Sequence, residues 1–258
     1  MPSVVITGST RGLGFAMARC FLQRGYLVTL SGRTEEALSS AKAQLGEYQD
    51  RILTVPCDVQ DRRDVVRLWE SAVERWGVVD IWINNAGINQ PDVHLWDISP
   101  EDVDHVVRTN LLGVIYGSQV AMHGMLRQKH GRIFNVEGFG SNDMQQAGLN
   151  LYGTTKRAIT YFTEALAKEA AGTSVNVGCI SPGMMVTDFI TKSQSILNDE
   201  ARVKKVFNIL GDRPETVAEF LVSRMAAGSK NGARIAWLTK AKATYRFMTA
   251  SFRKRELL

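Results

Sequence analysis

Cysteine is scarce in this chain of 258 residues, which contains three. Cys20, Cys57 and Cys179 lie far apart, each within an apolar stretch, so their placement favours reduced, buried thiols over a disulfide framework or a metal cluster. The sequence therefore predicts a reducing compartment and no metal site.

Long hydrophobic runs are also missing. No stretch has the roughly 18 consecutive apolar residues that a membrane-spanning helix needs, so the sequence predicts no bilayer crossing. The first apolar run, residues 4–6, begins almost at Met1, which leaves no room for a targeting segment ahead of it. We expect a cytoplasmic protein, or a plastid protein if a transit peptide has been removed.

Neither sign of charge dominates the composition. The formal net charge is +5, and part of it comes from Arg253, Lys254 and Arg255. No basic face interleaved with aromatic residues is evident, so nucleic acid is not a predicted partner.

The content of 45% hydrophobic and 22% charged residues predicts one globular domain, residues 1–240, followed by a tail, residues 241–258.

Short apolar runs alternate with helix-length segments along the chain. Their near-continuous apolar character is typical of strands that are buried on both faces. The pattern predicts an α/β fold with a doubly wound parallel sheet of about seven strands and helices on both faces. The predicted strands are residues 4–7, 27–31, 52–55, 81–84, 132–136, 175–180 and 233–238.

A glycine-rich segment follows the first predicted strand and opens a helix. Glycines at such a junction allow a tight turn and let backbone N–H groups approach a pyrophosphate at the helix N-terminus. This context predicts a dinucleotide site rather than a plain turn. The predicted contacts from this loop are Gly8, Ser9, Arg11, Gly12, Leu13 and Gly14.

The end of the second predicted strand lacks the acidic residue that commonly binds the ribose 2′-hydroxyl of NAD. Ser31, Gly32 and Arg33 stand there instead. Arg33, together with Ser9 and Arg11, could surround a 2′-phosphate with charge-assisted hydrogen bonds, which favours NADPH. The alternative is that Arg33 only stacks on the adenine.

The ends of the third and fourth predicted strands carry further candidate contacts to the cofactor. Asp58, followed by Val59, could accept a hydrogen bond from the adenine amino group, although an N-cap of the next helix is an equally good interpretation. Asn85, Ala86 and Gly87 are amide or small residues, which let a cofactor approach the backbone closely.

Tyr152 and Lys156 are four residues apart on a predicted helix, so the phenol and the ammonium share one face. Such a pair alone is common. Here it occurs in order with the Asn-Asn-Ala-Gly segment, Asn110 and the pair Pro182-Gly183 on consecutive βα units. This combination resembles the short-chain dehydrogenase/reductase family over residues 3–238.

The resemblance implies roles for these residues. Lys156 would bind the nicotinamide ribose and, together with the charge of the oxidised nicotinamide ring, lower the pKa of Tyr152, so that the phenol acts as a general acid near neutral pH. Asn110 would anchor a water molecule that links Lys156 to solvent. Contacts to the nicotinamide carboxamide are implied for Pro182, Gly183 and Thr187. The family often forms homodimers or homotetramers, and we expect the same here.

The catalytic serine of the family has no counterpart at its usual spacing, about 13 residues before the tyrosine, where this chain has Phe139. Ser141 and Glu137 are the two candidates to donate a hydrogen bond to the carbonyl oxygen instead, and Ser141 is preferred. Glu137 would have to be protonated or act through water. A further interpretation is that Glu137 caps a backbone amide outside the site.

Chlorophyll b reductases of the non-yellow-coloring type share this departure, and the chain resembles them at residues 137–141, 207–209 and 214–218. The resemblance implies NADPH-dependent reduction of the C7 formyl group of chlorophyll(ide) b to a hydroxymethyl group. One alternative is a general NADPH-dependent carbonyl or 3-oxoacyl reductase acting on another aldehyde or ketone. A second is a non-catalytic cofactor-binding protein, against which the intact tyrosine, lysine and asparagine argue.

Adaptable apolar side chains lie on the segments expected to flank the nicotinamide, and they suit a flat tetrapyrrole or serve ordinary packing. They are Phe139, Met144, Met184, Met185 and Phe189. Residues 187–211 fall outside the regular alternation and are the predicted lid. The basic amphipathic tail could contact an anionic membrane surface, cover the substrate mouth, or pack on the domain or an oligomer partner.

Overall fold

The computed structural model describes residues 1–185, 200–250 and 255–257, apart from the side chains of residues 200–203. Within these residues, a seven-stranded parallel sheet has the strand order β3-β2-β1-β4-β5-β6-β7. The predicted doubly wound α/β fold is confirmed. The strands are β1 Ser3–Ile6, β2 Leu27–Gly32, β3 Ile52–Pro56, β4 Ile81–Asn84, β5 Gly131–Val136, β6 Val175–Ser181 and β7 Arg234–Ala236.

Helices connect the strands and complete the chain. They are α1 Gly12–Gln23, α2 Glu35–Gln44, α3 Arg62–Trp76, α4 Pro100–Val107, α5 Gly113–Gln128, α6 Asn150–Glu169, α7 Glu200–Leu210, α8 Pro214–Ala226 and α9 Lys240–Thr249. Residues 200–210 of the predicted lid form α7, and its residues 187–199 lie outside the described part.

Both faces of the sheet are covered because its buried strands are apolar on both sides. In β1, Val4 and Ile6 pack in one apolar cluster, whereas Val5 packs in the other, as the alternation of side chains along a strand requires. Side chains of α1, α2 and α8 complete the first cluster. Those of α3, α5 and α6 complete the second.

β1 is the topological switch point of the sheet. It pairs with β2 on one side and with β4 on the other. The chain continues from β1 to β2 and β3 on the first side and then crosses to β4 on the second, so the strand order reverses here. Ligands of open α/β sheets bind beyond the carboxyl ends of the strands at this point. The glycine loop that follows β1 is therefore placed to hold a nucleotide.

The N-cap of α3 is Asp61, whose carboxylate accepts a hydrogen bond from Arg63 N. The interpretation of Asp58 as this cap is wrong. Asp58 Oδ1 instead accepts from Gln60 N at 3.0 Å, a local turn ahead of the helix. Because Asp58 and Asp61 both precede the apolar face of α3, the capping pattern of the sequence did not separate them.

A π-helical turn, Arg108–Leu112, joins α4 to α5 without a break. Asn110 lies in this turn and is fully buried. Its Oδ1 accepts from Ile88 N at 2.8 Å and its Nδ2 donates to Ile88 O at 2.9 Å. The amide thereby fixes the loop after β4, residues 85–90, against the helices, and π turns of this kind are frequent at functional sites.

The tail packs on the domain. Arg246 of α9 and Arg255 beyond it both bind the buried carboxylate of Asp212. Of the three alternatives for the tail, this contact supports the intramolecular one. Within the described residues, we find no helix that combines the length and the apolar character needed to span a bilayer.

Candidate active site

The glycine loop passes so close to the end of β4 that side chains do not fit. Gly8 has a φ of +61°, and a Cβ on it would lie 2.8 Å from Ala86 Cα. A Cβ on Gly14 would lie 2.5 Å from Gly8 O. The loop can therefore present its backbone N–H groups at the start of α1, as a pyrophosphate site requires.

The Ser9 side chain is tied to β2. Its hydroxyl is completely buried, donates to Ile6 O at 2.8 Å and accepts from Ser31 N at 2.9 Å. It fixes the loop and does not present its proton to a 2′-phosphate. Arg11 and Arg33 are exposed at this edge of the sheet. They are the charged residues of the predicted set, and both are accessible to a ligand from solvent.

The predicted cofactor contacts at the end of β4 also hold the two loops together. Asn85 Nδ2 donates to Thr7 O at 2.9 Å and to Gly8 O at 3.0 Å. Thr7 Oγ1 accepts from the backbone N–H groups of Asn85 and Ala86. The Asn85 side chain thus positions the glycine loop, and the N–H groups of Asn85 and Ala86 are used within the protein.

Tyr152 and Lys156 come together in the first turns of α6. The ammonium lies 5.6 Å from the centroid of the Tyr152 ring and donates to Val136 O at 3.3 Å. Gly87 adjoins it, since a Cβ there would lie 3.5 Å from Lys156 Nζ and 3.3 Å from Asn110 Oδ1. Gly87 is exposed, so solvent reaches the loop next to this contact.

Burial shifts both ionisable groups of the pair. It lowers the pKa of Lys156 to about 8, an effect that the charge of Glu137 opposes. It raises the pKa of Tyr152 above its ordinary value of 10.0. The physical reason is that a phenolate in this site would lose its hydration. The structure therefore holds Tyr152 protonated.

Gly138 is the residue that lies against the Tyr152 hydroxyl, and sequence reasoning missed it. A Cβ on Gly138 would collide with the hydroxyl oxygen and would lie 3.0 Å from Lys156 Cγ. Counting 13 residues back from Tyr152, the usual spacing in the family, leads to Phe139 instead. Spacing along the sequence does not show how the loop between β5 and α6 folds. The absent serine thus corresponds in space to a glycine.

Ser141 has its hydrogen bonds within the protein. Its Oγ accepts from Gly138 N at 3.2 Å and donates to Lys156 O at 3.2 Å. A hydroxyl has one proton, so this arrangement leaves none for a carbonyl oxygen. The side chain ties the loop after β5 to the catalytic helix.

Glu137 is paired with Arg234 of β7. The carboxylate is fully buried and accepts from Arg234 Nη2 at 2.7 Å and from Nε at 3.0 and 3.2 Å. Thr160 Oγ1 of α6 donates to it at 3.5 Å. An ionised carboxylate only accepts hydrogen bonds, so Glu137 in this pair donates none to a substrate.

The remaining predicted contacts are placed as follows. Leu13 and Val59 are buried in the two apolar clusters. Gly12 has a φ of +57° and is exposed. Pro182 is buried, and Gly183, with a φ of +74°, packs on Leu238. Thr187 lies outside the described residues.

The predicted substrate-facing side chains differ in exposure. Met144 is 57% exposed, and Phe139 and Met184 are half-buried. Met185 packs against the first apolar cluster, and its backbone bridges to Asp212. Phe189 lies outside the described residues.

Comparison with known proteins places these features in a family. The family model described as short chain dehydrogenase matches residues 2–197. The probable chlorophyll(ide) b reductase NYC1, chloroplastic, of Oryza sativa subsp. japonica is 37% identical over 270 residues, covering 98% of this chain and 53% of that protein. The chain therefore spans about half the length of that relative.

Two further matches each cover 93% of this chain. The chlorophyll(ide) b reductase NOL, chloroplastic, of Arabidopsis thaliana is 36% identical over 251 residues, covering 93% of this chain and 71% of that protein. A solved structure, the closed form of serine dehydrogenase complexed with NADP+, superposes with a TM-score of 0.79 at 29% identity. That match covers 93% of this chain and 95% of the other.

The family match begins just before β1 and extends past β6, so it includes the nucleotide loop as well as the tyrosine and lysine of α6. The matched residues therefore include the carboxyl ends of β1 and β4, where the strand order predicts a ligand site. The chain belongs to the short-chain dehydrogenase/reductase family.

Proposed function

We propose that the protein is an NADPH-dependent reductase of carbonyl groups and that its substrate is the C7 formyl group of chlorophyll(ide) b. The buried Tyr152–Lys156 pair, next to the exposed Gly87, carries the proposal. The cofactor fits the residues present, because the close packing of Gly8 and Gly14 forms a cradle that a Cβ would fill.

A reduced nicotinamide dinucleotide, when bound, supplies the hydride of such a reaction. Tyr152 donates its proton to the carbonyl oxygen as that oxygen gains negative charge, and its raised pKa keeps the proton in place until then. The Lys156 ammonium favours the resulting phenolate electrostatically. Asn110 keeps the adjacent loop in position through both backbone groups of Ile88.

Two observations support a tetrapyrrole aldehyde as the substrate. The relatives described above include chlorophyll(ide) b reductases that are 37% and 36% identical to this chain. Phe139 and Met184 are half-buried and Met144 is exposed, so they offer apolar surface on the segments that follow β5 and β6. A large flat substrate needs such adaptable apolar surroundings.

The proposal is tested by incubating the purified protein with chlorophyllide b and NADPH. We expect the absorption spectrum to shift to that of the 7-hydroxymethyl product. If the spectrum stays unchanged while the protein oxidises NADPH with simple aldehydes, the general carbonyl reductase is the correct alternative. If no aldehyde is reduced at all, the reductase assignment itself fails.

Cofactor preference gives a prediction at Arg33. Arg33→Glu is expected to raise KM for NADPH by about 10–100-fold and to change KM for NADH little, because a carboxylate repels the 2′-phosphate that a guanidinium binds. Steady-state kinetics with both cofactors measure this. Arg127→Glu, at the opposite edge of the sheet where α5 ends, is the control. An unchanged ratio of the two KM values would favour adenine stacking.

Activity should also depend on the charge of Lys156. Since the pKa of Lys156 is about 8, kcat/KM for NADPH is expected to fall as the pH rises through 8 and the ammonium loses its proton. Glu137 raises this pKa, so Glu137→Gln should move the midpoint to lower pH. A pH profile of both proteins measures the shift. An identical midpoint in the two would contradict the electrostatic role of Glu137.

A further inference from the structure

Gln90 has a buried amide of which only one half is used. The residue is 5% exposed, and its Oε1 accepts from Tyr152 N at 2.9 Å. Because a backbone N–H only donates, the atom facing it is the oxygen, and the amide nitrogen points elsewhere. Among the described residues, Nε2 has no hydrogen-bond partner. A buried donor without an acceptor is unfavourable and rare, so this one indicates a ligand.

The position of Gln90 relates that donor to the catalytic pair. The loop after β4 runs along the first turns of α6, with Gly87 against Lys156 Nζ and Gln90 against Tyr152 N. Asn110 holds the loop between these two contacts. Helical side chains lean toward the N-terminus of their helix, so the Tyr152 ring and the Gln90 amide lie at the same end of α6.

The active site also needs a hydrogen-bond donor for the oxygen of a carbonyl substrate. The loop after β5 does not provide one. Gly138 has no side chain beside the Tyr152 hydroxyl. The Ser141 hydroxyl donates to a helix carbonyl, and Glu137 accepts from Arg234. A carbonyl oxygen that gains negative charge is stabilised most by donors already in place around it. The loop after β4 holds such a donor.

We propose that Gln90 Nε2 donates a hydrogen bond to the oxygen of the carbonyl substrate, beside the hydroxyl of Tyr152. Gln90 transfers no proton and forms no covalent bond. It stabilises the oxygen while Tyr152 protonates it. The inference rests on the reductase activity proposed above and is independent of which carbonyl compound is the substrate.

Two substitutions separate this role from a purely structural one. Gln90→Glu keeps an oxygen for Tyr152 N and removes the amide donor, whereas Gln90→Met removes both and keeps a similar volume. If Gln90 contacts substrate, both variants should lower kcat/KM for the carbonyl compound by about 10–100-fold, with the NADPH dissociation constant unchanged. A carboxylate at position 90 also raises the pKa of Lys156, so kcat/KM is compared at the maximum of its pH profile. If Gln90 only caps α6, the glutamate variant should keep the wild-type maximum and only the methionine variant should lose activity.

The measurement uses chlorophyllide b and 4-nitrobenzaldehyde as separate substrates, with NADPH binding followed by fluorescence and folding by thermal melts. Gln44→Glu, at an exposed position, is the control. Wild-type reduction of 4-nitrobenzaldehyde but not chlorophyllide b overturns the chlorophyll proposal and leaves Gln90 to be judged on the smaller aldehyde. Wild-type activity in the glutamate variant, or no carbonyl reduction by the wild-type protein, overturns the inference.

Discussion

Tyr152→Phe is expected to lower kcat for carbonyl reduction by about 10²–10⁴-fold, the usual contribution of a positioned general acid. The substitution removes one hydroxyl from a side chain that is 8% exposed and leaves the ring in place beside Lys156. NADPH binding, which we assign to the glycine loop after β1, should be unchanged. Single-turnover kinetics together with a fluorescence titration of NADPH measure both quantities.

Tyr161→Phe is the matched control for this experiment. Tyr161 lies on the same helix but is 76% exposed, so removal of its hydroxyl should leave kcat at the wild-type value. If Tyr152→Phe retained more than about a tenth of the wild-type kcat, proton donation by Tyr152 would be excluded. Loss of turnover with intact NADPH binding would instead exclude a protein that only binds the cofactor.

The sheet could be predicted from the sequence because its strands carry their own signal. Each is a short apolar run between helical segments, and the predicted and observed bounds of β4 are identical. β7 is the least accurate, since it covers Arg234–Ala236 rather than residues 233–238. Among the described strands it is a short edge strand that pairs only with β6, so its ends depend on its neighbours.

The surroundings of the tyrosine were harder to predict because they depend on contacts between distant segments. Glu137 meets Arg234, which lies 97 residues further along the chain, and no periodicity relates the two. Gln90 lies 62 residues before Tyr152 and follows the Asn-Asn-Ala-Gly motif at a position that the motif does not include. The pairing of Tyr152 with Lys156 was accessible because both lie within one helical turn.

The same limitation applies to the tail. Its amphipathic, basic sequence allowed a membrane contact, a cover for the substrate or packing on the domain. Asp212 supports packing on the domain in the described residues, because it is buried and accepts hydrogen bonds from Arg246, Arg255 and Trp237 Nε1. Arg246 and Arg255, two of the basic residues that suggested an anion-binding surface, therefore pair with Asp212 within the protein.

Asp212 also connects the tail to the segment after β6. Its backbone N–H donates to Met184 O at 3.1 Å, and Met185 bridges to it. Although burial raises the pKa of Asp212, hydrogen bonds from Arg246, Trp237 and Arg255 lower it below the ordinary value of 3.8. The stabilisation from this ionised group is complete above pH 3.8 and is lost as the pH falls through the lower folded-state pKa.

Asp212→Asn should therefore lower the free energy of unfolding by about 3 kcal/mol at neutral pH, because two arginines would lose their shared counter-charge in a buried site. For a domain of this size the melting temperature would fall by roughly 6–12 °C. Asp104→Asn, which breaks an exposed pair with Arg108, should change the free energy of unfolding by less than about 1 kcal/mol. Denaturant titrations and thermal melts of the three proteins measure this. Equal stability of the Asp212 and Asp104 variants would mean that the tail contributes little to the fold.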